Sequence, residues 1–264
     1  MGQISTILDR LLGGTQIGPD QALMLALLLL FVPAILFFTA RARAGRPVRF
    51  RSIPAFQSIK DSIGQASEKG QTLHLSMGTA GIGDSAAMET VAGLNVLDYM
   101  AERGVLTGSP PLVTVANPTL LPAAQDLLRH HYTEGGFPEA YDPDQVRFIA
   151  PDPVVYASGV SEMLERRDLA TNIMVGSFGD EFLLIGETGA KLGHPQVAGG
   201  TSPVVLPFMY ASAENLLMGE EIFAAGAYLS ALPAHIGSLK AQDVVRLLFV
   251  ALVIGGVILR TVGG

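Results

Sequence analysis

The sequence contains no cysteine among its 264 residues. A disulfide framework, a thiolate metal site and a cysteine nucleophile are therefore all excluded. Basic residues are also few, because 17 lysines and arginines stand against 24 aspartates and glutamates, which gives a net charge of −7. A protein that binds nucleic acid needs a basic face, so this charge balance argues against that class.

Two long apolar stretches lie near the two ends of the chain. The first covers residues 22–40 and is interrupted only by Pro33, and the second covers residues 244–262. A bilayer core about 30 Å thick requires roughly 20 helical residues, so both stretches are long enough to cross it. We therefore predict five segments: an extracytoplasmic segment 1–21, a first span 22–40, a basic juxtamembrane segment and connector 41–70, an α/β domain 71–242 and a second span 243–264.

Arginine placement predicts the orientation of the spans. Arginines follow the first span at positions 41, 43, 46, 49 and 51, whereas only Arg10 precedes it. Because positive residues stay on the cytoplasmic side, the middle domain is expected in the cytoplasm and both termini outside it. Lys240 and Arg246, at the entrance of the second stretch, agree with this orientation. The alternatives are a cleaved signal peptide for the first stretch and an interfacial helix for the second.

Between the spans, the chain repeats a β-rich run, a turn and a helical stretch. The predicted strands are 72–77, 112–116, 146–150, 172–175, 196–198 and 215–218, and the predicted helices are 85–103, 119–132, 153–166, 181–192 and 220–229. Residues 47–70 are interpreted as a connector, and residues 201–212 are ambiguous. This alternation predicts an α/β fold with a Rossmann-like, doubly wound, mostly parallel sheet of about six strands.

The turn after the first predicted strand contains a glycine-rich motif. Residues 78–86 read GTAGIGDSA, and positions 81, 83 and 86 match the G-x-G-x-x-A form of the dinucleotide fingerprint. Glycines at such a turn let backbone N–H groups approach a phosphate at the N-terminus of the next helix. Candidate ligand-binding residues here are Gly78, Thr79, Gly81, Gly83 and Ser85. We also expect that a Cβ added at Gly81 or Gly83 would disturb the turn.

Other features of the same region favour a purely structural turn. The second predicted strand ends at Asn117, where a dinucleotide-binding domain usually places an acidic residue for the ribose. Asp84 would put a negative charge beside a pyrophosphate, and the turn has no lysine or arginine that would make it a P-loop. Tight strand-to-helix turns use glycine for positive φ whether or not a ligand binds. Both interpretations stay open at the level of the sequence.

The remaining turns carry acidic residues and one serine. Asp152, Glu220 and Glu221 could hold Mg²⁺ or transfer protons at one rim of the sheet. They could equally cap helices, and Asp152 before a proline is typical of an N-cap. Ser177 follows a strand as a nucleophile would, but the G-x-S-x-G elbow is absent. We predict neither a catalytic residue nor a metal ligand, and we keep Asn117 and these four residues as candidate ligand-binding positions.

The turns taken together resemble one family of proteins. The matching segments are SMGTAGIG at 76–83, VTVANPTLLP at 113–122, RFIAPDP at 147–153, VGSFG at 175–179 and GEEIFAAGAY at 219–228. They resemble a family of bacterial membrane-anchored proteins that is catalogued only as a domain of unknown function. The resemblance runs from Ile53 to the second span, and it implies a bacterial inner-membrane location and a single soluble domain. The resemblance assigns no activity to the chain, and any cofactor stays unknown.

These observations favour a non-catalytic binding or scaffolding module at the inner membrane. Its expected partners are the lipid bilayer and either further copies of the chain or other membrane proteins. One alternative is a membrane-tethered enzyme that uses a nucleotide-like small ligand. Another is a subunit of an oligomeric transport or secretion complex, since two spans alone cannot form a pore.

Overall fold

A computed structural model describes residues 18–45 and 50–262 of the chain. Two compact units are formed, one by Arg51–Ser230 and the other by the segments on either side of it. Most of the predicted extracytoplasmic segment lies outside the described residues, as do Arg10, Arg46 and Arg49.

Nine α-helices and six strands make up the regular structure of the described residues. The helices are α1 (Pro19–Arg43), α2 (Pro54–Lys69), α3 (Ala87–Thr107), α4 (Leu120–Glu134), α5 (Pro153–Glu165), α6 (Phe182–Leu192), α7 (Leu206–Ser212), α8 (Ala225–Tyr228) and α9 (Pro233–Val262). The strands are β1 (Thr72–Gly78), β2 (Pro111–Val115), β3 (Val146–Phe148), β4 (Leu169–Ser177), β5 (Gln196–Gly200) and β6 (Asn215–Met218). Short 3₁₀ helices occupy Pro138–Ala140, Pro143–Gln145 and Gly219–Ala224.

The six strands form one all-parallel sheet in the order β3-β2-β1-β4-β5-β6. Helices α2, α3 and α4 pack on one face, and α5, α6 and α7 pack on the other. The strand order reverses between β1 and β4, so the fold is doubly wound with its topological switch point there. The predicted α/β class and six-stranded sheet are confirmed.

The predicted connector 47–70 is wrong over most of its length, because Pro54–Lys69 form helix α2. Phe56, Ile59 and Ile63 recur at helical spacing and are buried against the sheet. The helix begins with a proline at its first position, where the missing N–H costs nothing. It ends at Gly70, whose φ of 66° is the left-handed C-cap conformation. Helix α2 therefore belongs to the core of the α/β unit.

Two further segments differ from their predictions. The predicted helix 220–229 is a 3₁₀ helix, Gly219–Ala224, followed by the single turn α8. The ring of Tyr228 in α8 stacks on that of Phe56 with centroids 5.0 Å apart, which fixes this segment against α2. The ambiguous residues 201–212 contain α7, which starts just before Pro207 as a proline at the first turn allows.

The terminal unit consists of α1 and α9, which pack against one another. Asp20–Arg43 and Pro233–Ile258 are long and apolar enough to cross a membrane. Gly237 lies so close to Thr39 that a Cβ would overlap its backbone. Small residues permit such close approach between membrane helices. The chain thus carries two candidate membrane helices flanking an α/β unit.

Candidate functional site

The candidate residues lie at the carboxyl edge of the sheet. In an open α/β sheet, ligands bind in the crevice outside the carboxyl ends of the strands at the topological switch point. Here that point is the junction of β1, which ends at Gly78, and β4, which ends at Ser177. The geometry of this junction decides whether a crevice is available.

The backbones of β1 and β4 stay in contact beyond the ends of the strands. The Thr79 N–H donates to the Ser177 carbonyl oxygen at 2.9 Å. Gly78 has a φ of 75°, and a Cβ there would overlap the Ser177 carbonyl group. A Cβ at Gly176 would likewise overlap the carbonyl group of Met77. The two strands are therefore joined, backbone to backbone, where a doubly wound fold usually opens a crevice.

The glycine-rich turn after β1 is occupied by a carboxylate of the protein itself. Asp84 Oδ2 accepts a hydrogen bond from the Gly81 N–H at 2.5 Å and another from Asn117 Nδ2 at 3.2 Å. The next N–H, of Ile82, donates to Thr119 Oγ1 at 3.3 Å. These N–H groups are the ones that a phosphate at the turn would engage. The carboxylate of Asp84 thus occupies the position that a bound phosphate would take.

Thr119 is a member of this cluster that the sequence reasoning missed. Its backbone N–H and its hydroxyl both donate to Asn117 Oδ1, at 3.0 and 2.7 Å. Asn117 therefore forms an Asx turn with the residue two positions on, which is typical of an Asn-Pro-Thr sequence. The Asn-Pro-Thr pattern is visible in the sequence, but the contact between Thr119 and the turn after β1 depends on the fold.

The glycines of the turn differ in their surroundings. A Cβ at Gly81 would overlap the side chains of Asn117 and Thr119, as expected. Nothing lies within 4 Å of a Cβ built at Gly83, so the expectation for Gly83 is wrong. Gly83 and Ser85 are both exposed on the outer side of the turn. The close approach is confined to Gly78 and Gly81.

Asp152 lies away from this cluster, at the start of α5. Its Oδ1 accepts hydrogen bonds from the N–H groups of Val154 and Val155, both at 3.0 Å. Pro153 occupies the first helical position, as the sequence pattern indicated. The carboxylate is therefore engaged as the N-cap of α5.

The acids after β6 are also separate from the turn after β1. Because β4 and β5 lie between β1 and β6, the two strand ends are about 14 Å apart across the sheet. Glu221 accepts a hydrogen bond from the Met218 N–H at 3.0 Å and forms an ion pair with Arg51. Glu220, its neighbour, lies in the same 3₁₀ helix. Glu221 thus ties the end of β6 to the chain that enters α2.

Replacing Glu221 by glutamine is expected to lower the free energy of unfolding by about 1–2 kcal/mol, because a charge-assisted cap and an ion pair are both weakened. The matched control is Glu187→Gln, which removes only a surface pair with Lys191 and should cost under about 0.5 kcal/mol. Thermal unfolding of the detergent-purified protein measures both changes. Equal effects of the two variants would contradict a capping role for Glu221.

A continuous row of buried polar side chains crosses the middle of the sheet on the α5–α6 face. His74 Nδ1 lies 2.7 Å from Asn172 Oδ1, and His74 Nε2 lies 3.0 Å from Thr114 Oγ1. Because an amide oxygen only accepts, Nδ1 carries the proton and Nε2 accepts from the threonine hydroxyl. The row continues through Asn172 Nδ2, which donates to Gln196 Oε1 at 2.9 Å. All four residues are at most 1% exposed.

Tyr156 ends this row at the β2 side. Its hydroxyl lies 2.6 Å from Ser76 Oγ and 3.1 Å from Thr114 Oγ1. Burial raises the pKa of Tyr156 to about 12, and burial lowers the pKa of His74 to about 4. Both groups are therefore neutral at pH 7. Fully satisfied buried networks of this kind define the packing of a core, and no atom of the row faces a cleft for a substrate.

Among residues 18–45 and 50–262, no group of three or more histidines, aspartates and glutamates is placed to hold a metal ion. The arrangement at the carboxyl edge is instead a set of hydrogen bonds within the protein. No curated protein and no solved structure matches the chain. The sequence profile described as "Domain of unknown function (DUF6754)" matches residues 16–264, and the chain therefore belongs to this family.

Proposed function

We propose that this protein is a membrane-anchored module that acts by binding and assembly rather than by catalysis. Its α/β unit would lie on the cytoplasmic face of a bacterial inner membrane, held there by α1 and α9. Its partners would be further copies of the chain or other membrane proteins. The observation that carries the proposal is the filled switch point between β1 and β4.

A nucleotide-using enzyme of this fold needs free N–H groups and space at that point. Here the Gly81 N–H is bonded to the Asp84 carboxylate, and the Thr79 N–H is bonded to the Ser177 carbonyl. A phosphate would have to displace Asp84 and would then face its negative charge. This geometry favours the binding module over the enzyme.

Exposed apolar side chains at the carboxyl edge give the proposed module a surface for a partner. Each belongs to a turn or first helical turn that follows a strand, and their exposed fractions are 41–66%. They are Ile82 after β1, Val154 and Val155 after β3, Leu183 and Leu184 after β4, and Val204 after β5. Apolar side chains gathered at one edge of a domain are typical of an interaction surface.

Native mass spectrometry of the full chain in mild detergent tests this proposal. We expect an assembly larger than a monomer and no bound nucleotide. The variant Leu183→Ser/Leu184→Ser should reduce the assembly, whereas Leu192→Ser should not, because Leu192 is equally exposed at the opposite end of the same helix. A monomeric wild-type protein would contradict assembly from further copies of the chain. A nucleotide that co-purifies in stoichiometric amount would overturn the proposal of a non-catalytic module.

The proposed orientation makes a separate prediction. Arg41 and Arg43 occupy the last turn of α1, and positive residues stay on the cytoplasmic side. A reporter that works only outside the cytoplasm should therefore be active when fused before Met1 or after Gly264, and inactive when inserted after Gly136 in the α/β unit. Protease digestion of the α/β unit in intact cells or spheroplasts would reverse the assignment.

A further inference from the structure

Two adjoining clefts lie beside the edge strand β3. One has a volume of about 330 Å³ and the other of about 540 Å³, within the range of small-ligand sites. Arg147, in the middle of β3, and Arg167, in the turn between α5 and β4, line both clefts. Arg166 adds a third guanidinium to the larger cleft.

The larger cleft concentrates positive charge in an otherwise acidic protein. Its only acidic lining residue is Glu162, which forms an ion pair with Arg166 at 2.6 Å. Three guanidinium groups and one carboxylate leave a net charge of +2, whereas the whole chain carries −7. The smaller cleft shares Arg147 and Arg167 but is also lined by Asp142 and Asp144, so the excess of positive charge belongs to the larger cleft.

Arg147 and Arg167, which line both clefts, have N–H groups that can donate hydrogen bonds to a ligand. Arg147 Nε donates to the Asp144 carbonyl oxygen at 3.1 Å, which leaves the terminal nitrogens of its guanidinium. Arg167 forms no hydrogen bond or ion pair with any residue in the described part of the chain. Both side chains are partly buried, so they are held at the cleft rather than extended into solvent.

We propose that the larger cleft binds the phosphate group of a small phosphate monoester. The planar fork of arginine donates two parallel hydrogen bonds to phosphate oxygens, and two such forks with a third charge suit a dianion. A phosphodiester and a monocarboxylate each carry one negative charge, so either would balance only half of the net positive charge of the larger cleft. Ile149 and Met163 supply an apolar wall for the organic part of the ester. This inference is independent of the proposed assembly at the carboxyl edge.

Isothermal titration of the full chain in detergent with phenyl phosphate tests the site. We expect saturable binding at millimolar or lower concentration, with weaker binding of dimethyl phosphate and of detergent-solubilised phosphatidylglycerol, both of which carry a single negative charge per phosphate. Arg147→Gln/Arg167→Gln should lower the affinity at least about a hundredfold, since the charged hydrogen bonds lost with each arginine cost at least about 1.4 kcal/mol, a factor of ten. Arg129→Gln is the matched control, because it removes one exposed arginine paired with Asp126 elsewhere on the surface.

Arg167→Gln alone is the second variant, because this arginine has no bonds within the described structure whose loss would unfold the protein. It should retain the wild-type melting temperature and lose most of the phosphate affinity. Absence of phenyl phosphate binding to the wild type would overturn the proposal. So would an affinity that the arginine variants leave unchanged, or equal binding of the diester, which would indicate only a general anion effect.

Discussion

Replacing Gly78 by alanine is expected to destabilise the α/β unit by about 2–5 kcal/mol. Gly78 has a φ of 75°, a conformation that costs an L-residue about 1–2 kcal/mol. The new Cβ would also overlap the carbonyl group of Ser177, and overpacking against a rigid neighbour costs about 1–3 kcal/mol more. For a unit of this size, the melting temperature should fall by about 10 °C.

The matched control for this change is Gly83→Ala in the same turn. Gly83 has open space around a Cβ and no positive φ, so its stability should change by less than about 0.5 kcal/mol. Because the sequence contains no tryptophan, the fluorescence of its six tyrosines is a suitable probe of the unfolding. Equal melting temperatures for the two variants would show that β1 and β4 can separate at the switch point. That outcome would reopen the interpretation of the turn as a nucleotide site.

Much of the fold could be predicted from the sequence, because strands buried on both faces and the helices between them differ in composition. Strand β6 was predicted with its observed bounds, and the other five strands were placed within a few residues. Helix α2 was missed although Phe56, Ile59 and Ile63 follow a helical period. Its many polar residues and nearby prolines gave it the composition of a connector, and only packing on the sheet distinguishes the two.

The candidate site was predictable only in part, because some of its hydrogen bonds join residues that are far apart in the sequence. The Asp152 cap involves neighbours two and three residues away, and the local Asp-Pro pattern indicated it. The turn from Asn117 to Thr119 is equally local but was not predicted. The bond between Asn117 and Asp84 joins residues 33 positions apart, and that between His74 and Asn172 joins residues 98 positions apart. Such pairs depend on strand order, which the alternation of strands and helices does not determine. The sequence therefore indicated a glycine-rich turn but not the carboxylate that fills it.

Acidification from pH 7 to pH 4 is expected to remove about 3 kcal/mol of stability through His74 alone. Burial lowers its pKa from 6.5 to about 4, the hydrogen bond to Asn172 opposes this shift, and the charge of Arg167 adds to it. Between these two pKa values, the unfolded chain binds a proton that the folded chain excludes. The contribution of neutral His74 to the stability of the folded protein is therefore fully present above about pH 6.5 and is lost as the pH falls towards 4.

Comparison of His74→Gln with His130→Gln isolates this contribution. Glutamine at position 74 keeps a hydrogen-bond donor and an acceptor but does not titrate. The His74→Gln variant should be less stable than the wild type at pH 7, and it should lose less stability than the wild type between pH 6.5 and pH 4. His130 is 62% exposed and takes no part in the buried row, so His130→Gln is the surface control. Melting temperatures measured across this pH range give both slopes. If His74→Gln kept the full wild-type slope, the buried histidine would already bind its proton in the folded protein, and the neutral row from Thr114 to Gln196 would be wrong.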